Sequence, residues 1–132
     1  MNFLKRLCLL LCLLCAGCSG PDAEQFKKDK PQLLRYIESF FKKGQHDSAR
    51  ELINKYKRLK DPDLQKWQVK NNKAHVVKLK AELNKLKEHD YERRHEILGR
   101  LMRLDDNSDQ HYVAQLQNKE KWSAYLAKQD AR

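Results

Sequence analysis

The side chains able to do chemistry in this 132-residue chain are five histidines, four cysteines and a dense population of Lys, Arg, Asp and Glu. His46, His75, His89, His95 and His111 contain no His-x-x-x-His pair, the spacing that brings two imidazoles to one helical face for zinc. His89 and His95 are six apart and point to different sides of a helix, so no metal centre is expected. Glu51, Glu82, Glu92 and Glu96 stand among Lys and Arg, as on a solvated helix face. Two carboxylates that divide acid and base duties need an enclosing cleft to separate their pKa values, and a short helical chain offers little room for one. The sequence carries no Gly-rich phosphate loop and no Gly-x-Ser-x-Gly elbow. These residues predict no enzyme, no cofactor and no small-molecule substrate.

All four cysteines (Cys8, Cys12, Cys15 and Cys18) fall in the first eighteen residues, so the rest of the chain has no disulfide framework. Lys5 and Arg6 give a positive start, and Leu7 to Leu14 form a short apolar run of Leu and Cys. Small residues then precede a cysteine, in the layout of an export signal. The run is far shorter than the ~20 residues of a membrane-spanning helix. Ala16-Gly17-Cys18 resembles the last three positions of the bacterial lipobox, with Cys15 where Leu is usual. The resemblance implies cleavage between Gly17 and Cys18, a diacylglycerol on the Cys18 thiol and acylation of the new amino group. Ser19, by the same resemblance, sorts the protein to the outer membrane, facing the periplasm. Several acyl chains anchor a protein firmly. The alternative is an ordinary signal cut near Gly17 or Gly20 that leaves a soluble periplasmic protein.

Lys and Arg number 28 against 18 Asp and Glu, a net charge of +10 that becomes +8 once Lys5 and Arg6 leave with the signal. That balance suits acidic partners, namely anionic lipid, lipopolysaccharide, acidic glycan or acidic protein. It equally describes a solvated helical surface. Nucleic acid fits the composition but not an envelope compartment, and is not an expected partner. Lys55, Lys57, Arg58 and Lys60 cluster at the end of one predicted helix, where compensation of the helix dipole accounts for them without a ligand.

The elements that position these groups read as helices throughout. Ser19 to Lys30 is polar, with one large apolar residue, and is expected to be a tether. The chain divides into a signal peptide over 1–17, a lipid-anchored tether over 18–30 and a helical domain over 31–132. A first helix starts near Pro31, with Leu33, Leu34, Ile37, Phe40 and Phe41 on one face, and ends at Gly44. Ser48-Ala49-Arg50-Glu51 matches a capping box and opens a second helix through Leu59. Asp61-Pro62 caps a third stretch to about residue 87, in which Asn71-Asn72 marks a break. A fourth helix resumes at Asp90, a turn falls at Asp105 to Ser108, and a last helix carries Tyr112, Leu116, Trp122, Tyr125 and Leu126.

At a shift of 45, Gly44 to Ala49 lies over His89 to Arg94, Leu52-Ile53 over Ile97-Leu98, and Tyr56 over Leu101. Gly44, Ala49 and Pro62 sit where a tetratricopeptide repeat carries its packing glycine, small residue and closing proline, and His46 stands in place of the usual aromatic. The first copy resembles that family, and the second, without the Gly, Ala and Pro, resembles its terminal unit. The resemblance covers about residues 31–116 and implies stacked antiparallel hairpins, in a short solenoid of about five helices. A small helical bundle is the alternative. It also implies a non-enzymatic adaptor for other proteins in an outer-membrane assembly. The rival functions are binding of anionic lipid, lipopolysaccharide or acidic glycan, and a small exclusion or immunity lipoprotein. Arg93 and Arg100, seven apart on one face, and Trp122 with Tyr125, beside Lys119, Lys121 and Lys128, are the candidate partner-binding residues.

Overall fold

In the computed structural model, which describes residues 22–132, five α-helices and one 3₁₀ turn follow in order. They are α1 (Ala23–Lys42), α2 (His46–Lys55), the 3₁₀ turn (Lys57–Leu59), α3 (Pro62–Lys85), α4 (Tyr91–Leu104) and α5 (Ser108–Asp130). The architecture is all-α with five helices, as expected, and no strand occurs among the described residues. The signal peptide, the Gly17–Cys18 cleavage site and Ser19 lie outside the described residues. Two compact units divide at Gln68 and Val69, within α3.

In the first unit α1 starts eight residues earlier than expected. The Asp22 carboxylate accepts from the Glu24 N–H at 3.0 Å and caps the helix. Phe26 then falls on the stripe of Leu33 and Ile37, is 6% exposed and lies 5.3 Å from the Tyr56 ring. Lys30 reaches Asp61 at 2.9 Å and Asp63 at 2.6 Å. Residues 23–30 are therefore packed helix rather than tether. Pro31 lies inside the helix rather than at its start; there it deletes one backbone donor, and the burial of Phe26 on its N-terminal side offsets that loss.

The other end of α1 is as the sequence predicts. Gly44 takes φ 69°, its N–H bonds to the Phe41 carbonyl at 3.0 Å, and the Gln45 N–H bonds to the Phe40 carbonyl at 2.9 Å. That pair of bonds is a Schellman stop, which needs a left-handed residue. Ser48 is not the cap of α2. The helix already begins at His46, so Ser48 sits within its first turn and the capping box is not formed. Asp61 does cap α3, accepting from the N–H groups of Asp63 and Leu64 at 3.0 and 3.1 Å, and Pro62 occupies the first helical position. The core of this unit is Phe26, Leu33, Ile37, Ile53 and Leu64, with Ala49 fully enclosed. His46 is buried edge-on against Phe41, at 5.8 Å between ring centres, and so packs as an aromatic.

In the second unit Val76 and Leu79 of α3 pack with Ile97, Leu98 and Leu101 of α4. The expected break at Asn71-Asn72 does not occur: α3 is continuous, and Asn71 is fully buried and bonded. A buried amide with satisfied partners need not interrupt a helix. The starts of α2 and α4, at His46 and Tyr91, stand 45 residues apart, as the internal repeat requires.

Candidate functional site

The second unit owes its most distinctive feature to the way α5 is attached. Of the apolar residues on α5, Ala114 packs against the Val76–Leu101 core, and the one fully buried position on this helix is Asn118. The Asn118 Nδ2 donates to the Tyr91 carbonyl at 2.9 Å, and the Gln115 Nε2 donates to the His95 carbonyl at 3.0 Å. Gly99 makes room for that approach, since a Cβ there would stand 3.2 Å from the Gln115 Nε2. Polar side chains thus hold the helix to α4 alongside the ring contacts of Trp122 and Tyr125.

Arg94 occupies the position that corresponds, at the shift of 45, to the small Ala49. Its guanidinium donates to the carbonyls of Lys87 at 2.8 Å and Glu88 at 3.3 Å, and to the Asn118 Oδ1 at 3.3 Å. None of these acceptors is a carboxylate, so the positive charge is fixed in place without being neutralised.

Above Arg94 an open groove of about 970 Å³ runs between α5 and the start of α4. Its α5 wall is Ala114, Asn118, Lys121, Tyr125 and Lys128, a four-three-four-three stripe on a single helical face. Leu83, Leu98 and Ala114 supply its apolar lining. His89 stacks on Tyr125 at 4.6 Å and 22°, and Tyr91 lies 5.5 Å from Tyr125. Four cations, Arg94, Lys121, Lys128 and Arg132, face the groove against one carboxylate, Glu88. The Lys121 and Lys128 ammonium groups enter none of the ion pairs among the described residues.

The residues singled out by sequence meet different fates. Arg93 and Arg100 do share a face, but Glu96 bridges them at 2.8 and 3.2 Å, and Arg93 also reaches Glu82 at 2.7 Å. The hydrogen bonds to Glu96 and then Glu82 raise the Arg93 pKa, and the bond from Arg93 lowers that of Glu96. Both guanidinium groups of that surface cluster are thus engaged by carboxylates of the same chain. Trp122 is half-buried, 6.3 Å from the His95 ring. Tyr125 does enter the groove. Gly44, Ala49 and Pro62 serve the packing of the first unit and take no part in the groove. Sequence reasoning missed Arg94, Asn118, His89 and Tyr91. The heptad-like run from Ala114 to Lys128 was their available signal, because its inward positions are polar.

A second charged group lies at the α4–α5 turn. His111 Nε2 and Lys80 Nζ reach the same Asp105 carboxylate oxygen at 2.7 and 2.9 Å. The His111 bond first, and Lys80 next, hold the Asp105 carboxyl down at about 2. Among the described residues no three His, Cys, Asp or Glu side chains converge as a metal site, and no helix is long and apolar enough to cross a membrane. No protein-family model, curated protein or solved structure matches the chain.

Proposed function

We propose that this chain is a non-enzymatic bacterial envelope lipoprotein that serves as an adaptor for another protein. In this reading it is anchored through acylated Cys18 in the outer membrane and faces the periplasm. The observation that carries the adaptor role is the groove between α4 and α5. It combines a fixed Arg and Tyr side chains, residue types enriched at protein interfaces, with unpaired Lys that supplies charge for an acidic partner, along one concave surface. The lipobox-like Ala16-Gly17-Cys18 supports the anchor, and Ser19 supports the outer membrane. The tetratricopeptide-like unit from Gly44 to Pro62, with helix starts 45 residues apart, supports the reading of the helices as a binding scaffold.

A second reading rests on the same lysines. Exposed, unpaired cations on a +8 chain also suit anionic lipid, lipopolysaccharide or acidic glycan. Salt separates the two: charge-driven surface association weakens steeply with ionic strength, whereas docking with an apolar component persists.

Crosslinking in living cells, with the tagged protein and its Cys18→Ser variant side by side, tests the proposal. A small, reproducible set of envelope proteins that disappears with Cys18→Ser is the expected result. Capture of abundant porins and lipid material alone, or a pattern indifferent to Cys18, would refute the anchored adaptor.

A further inference from the structure

The groove's chemistry specifies its occupant more narrowly. We infer that it receives an acidic amphipathic helix of a protein partner, an inference that rests on the adaptor reading above. The α5 wall from Ala114 to Lys128 extends about 21 Å at 1.5 Å per residue, the length of four helical turns. The α4 and α5 walls bond their backbone groups within the helices, and Arg94 takes the Lys87 and Glu88 carbonyls of the connector before α4, so the groove presents no strand edge for an extended segment to pair with. A helix brings its own backbone bonds and needs only side-chain contacts. Apolar positions at three- and four-residue spacing on such a helix meet Leu83, Ala114 and the Tyr125 ring. Carboxylates flanking that stripe meet Arg94, Lys121 and Lys128.

Charge decides between the other occupants. A second copy of this chain carries +8 once Lys5 and Arg6 have left with the signal, and would bring like charge to a basic groove. A flat anionic membrane meets protruding lysines, but Arg94 is half-buried and fastened to the Lys87 and Glu88 carbonyls. That recess favours a protruding carboxylate side chain over a headgroup layer.

The test is fluorescence anisotropy with the purified full chain at 0.15 M salt and a labelled 18-residue helical peptide. The peptide carries Leu at three- and four-residue spacing and Glu on both flanks. The Glu peptide is expected to bind at least tenfold more tightly than its Glu→Gln counterpart. Lys121→Glu with Lys128→Glu, both on the exposed surface, is expected to weaken the Glu peptide at least tenfold while circular dichroism stays unchanged. A Lys-flanked peptide should then bind the variant better than the parent. Failure of the Glu peptide to bind, equal binding of the Gln peptide, or an unaltered affinity in the double variant would overturn the inference. So would phosphatidylglycerol vesicles that bind the parent chain and lose that binding equally in the variant. If the proteins crosslinked in cells persist with Lys121→Glu and Lys128→Glu, the groove assignment falls while the adaptor stands. If cells yield no partner at all, the adaptor reading falls first.

Discussion

The first two turns of α1 depend on Phe26, and Phe26→Ala is expected to release them. Phe26 is 6% exposed, against Tyr56 and the core of the first unit. Removing a buried phenylalanine side chain costs about 3–5 kcal/mol in a close-packed site. The segment has few other supports: the Asp22 cap, the exposed surface contacts, and the ion pairs of Lys30 with Asp61 and Asp63. Pro31 weakens its connection to the rest of α1 by deleting one backbone hydrogen bond. The energy lost is therefore expressed as local opening of residues 23–30 before global unfolding. At 1.4 kcal/mol per decade, a loss of about 3 kcal/mol raises the open population about 100-fold. Trypsin cleavage after Lys27 and Lys28 reads that population directly when reclosing is faster than cleavage. The variant should be cut there about two orders of magnitude faster than the parent. A parent already cut at the rate of an unfolded peptide would restore the tether reading. A variant within threefold of the parent would refute the claim that Phe26 holds the segment.

Replacing Pro31 by Ala restores a helical donor and removes a ring clash; urea denaturation should show a gain of about 1–2 kcal/mol, the helix-interior penalty less the lost rigidity of the unfolded chain. Asn118→Ala removes the side-chain donor to the Tyr91 carbonyl and the Oδ1 acceptor of Arg94, and should cost about 1–3 kcal/mol, followed by the fluorescence of Trp122 on the same helix. Asp105, whose folded pKa of about 2 lies below its ordinary 3.8, contributes stability that is fully present above about pH 4 and lost as pH falls through about 2. The parent should then exceed Asp105→Asn by about 1–2 kcal/mol at pH 5, allowing for screening near the surface, and the two should converge in acid unfolding near pH 2. Gly44→Ala forces a Cβ into a φ of 69° and should lower the denaturation midpoint by the equivalent of about 1 kcal/mol.

Helix existence and order were legible because apolar spacing and punctuation agreed: Gly44 stops α1, Asp61-Pro62 starts α3, and the Asp105–Ser108 cluster separates α4 from α5. The errors came where one local signal competed with a longer pattern. Pro31 suggested a start, while Phe26 continued the Leu33–Ile37 stripe across it. Ser48 and Glu51 matched a cap, but the helix had already begun at His46, whose ring is buried against Phe41. The candidate site was legible in part. Tyr125 and its neighbouring lysines were visible as an aromatic-basic group, whereas Arg94 looked like one more surface charge. Only the fold shows that carbonyls hold its guanidinium while Glu82 and Glu96 engage the adjacent Arg93. Charge pairing across helices depends on the direction of each side chain, which linear spacing does not give.

The bonds from Gln115 and Asn118 to the carbonyls of His95 and Tyr91 also fix where α5 stops along α4. An apolar seam tolerates sliding, because a displaced leucine still meets another leucine. Two amides keyed to two particular carbonyls do not: a shift of one turn would break both bonds and carry Gln115 away from the space that Gly99 leaves for it. The helix is therefore indexed, like a bolt in a keyed slot, and its outer side is released from any duty in alignment. Tyr112, Val113 and Leu116 on that side can change in composition without moving Tyr125 or Lys128 relative to Arg94.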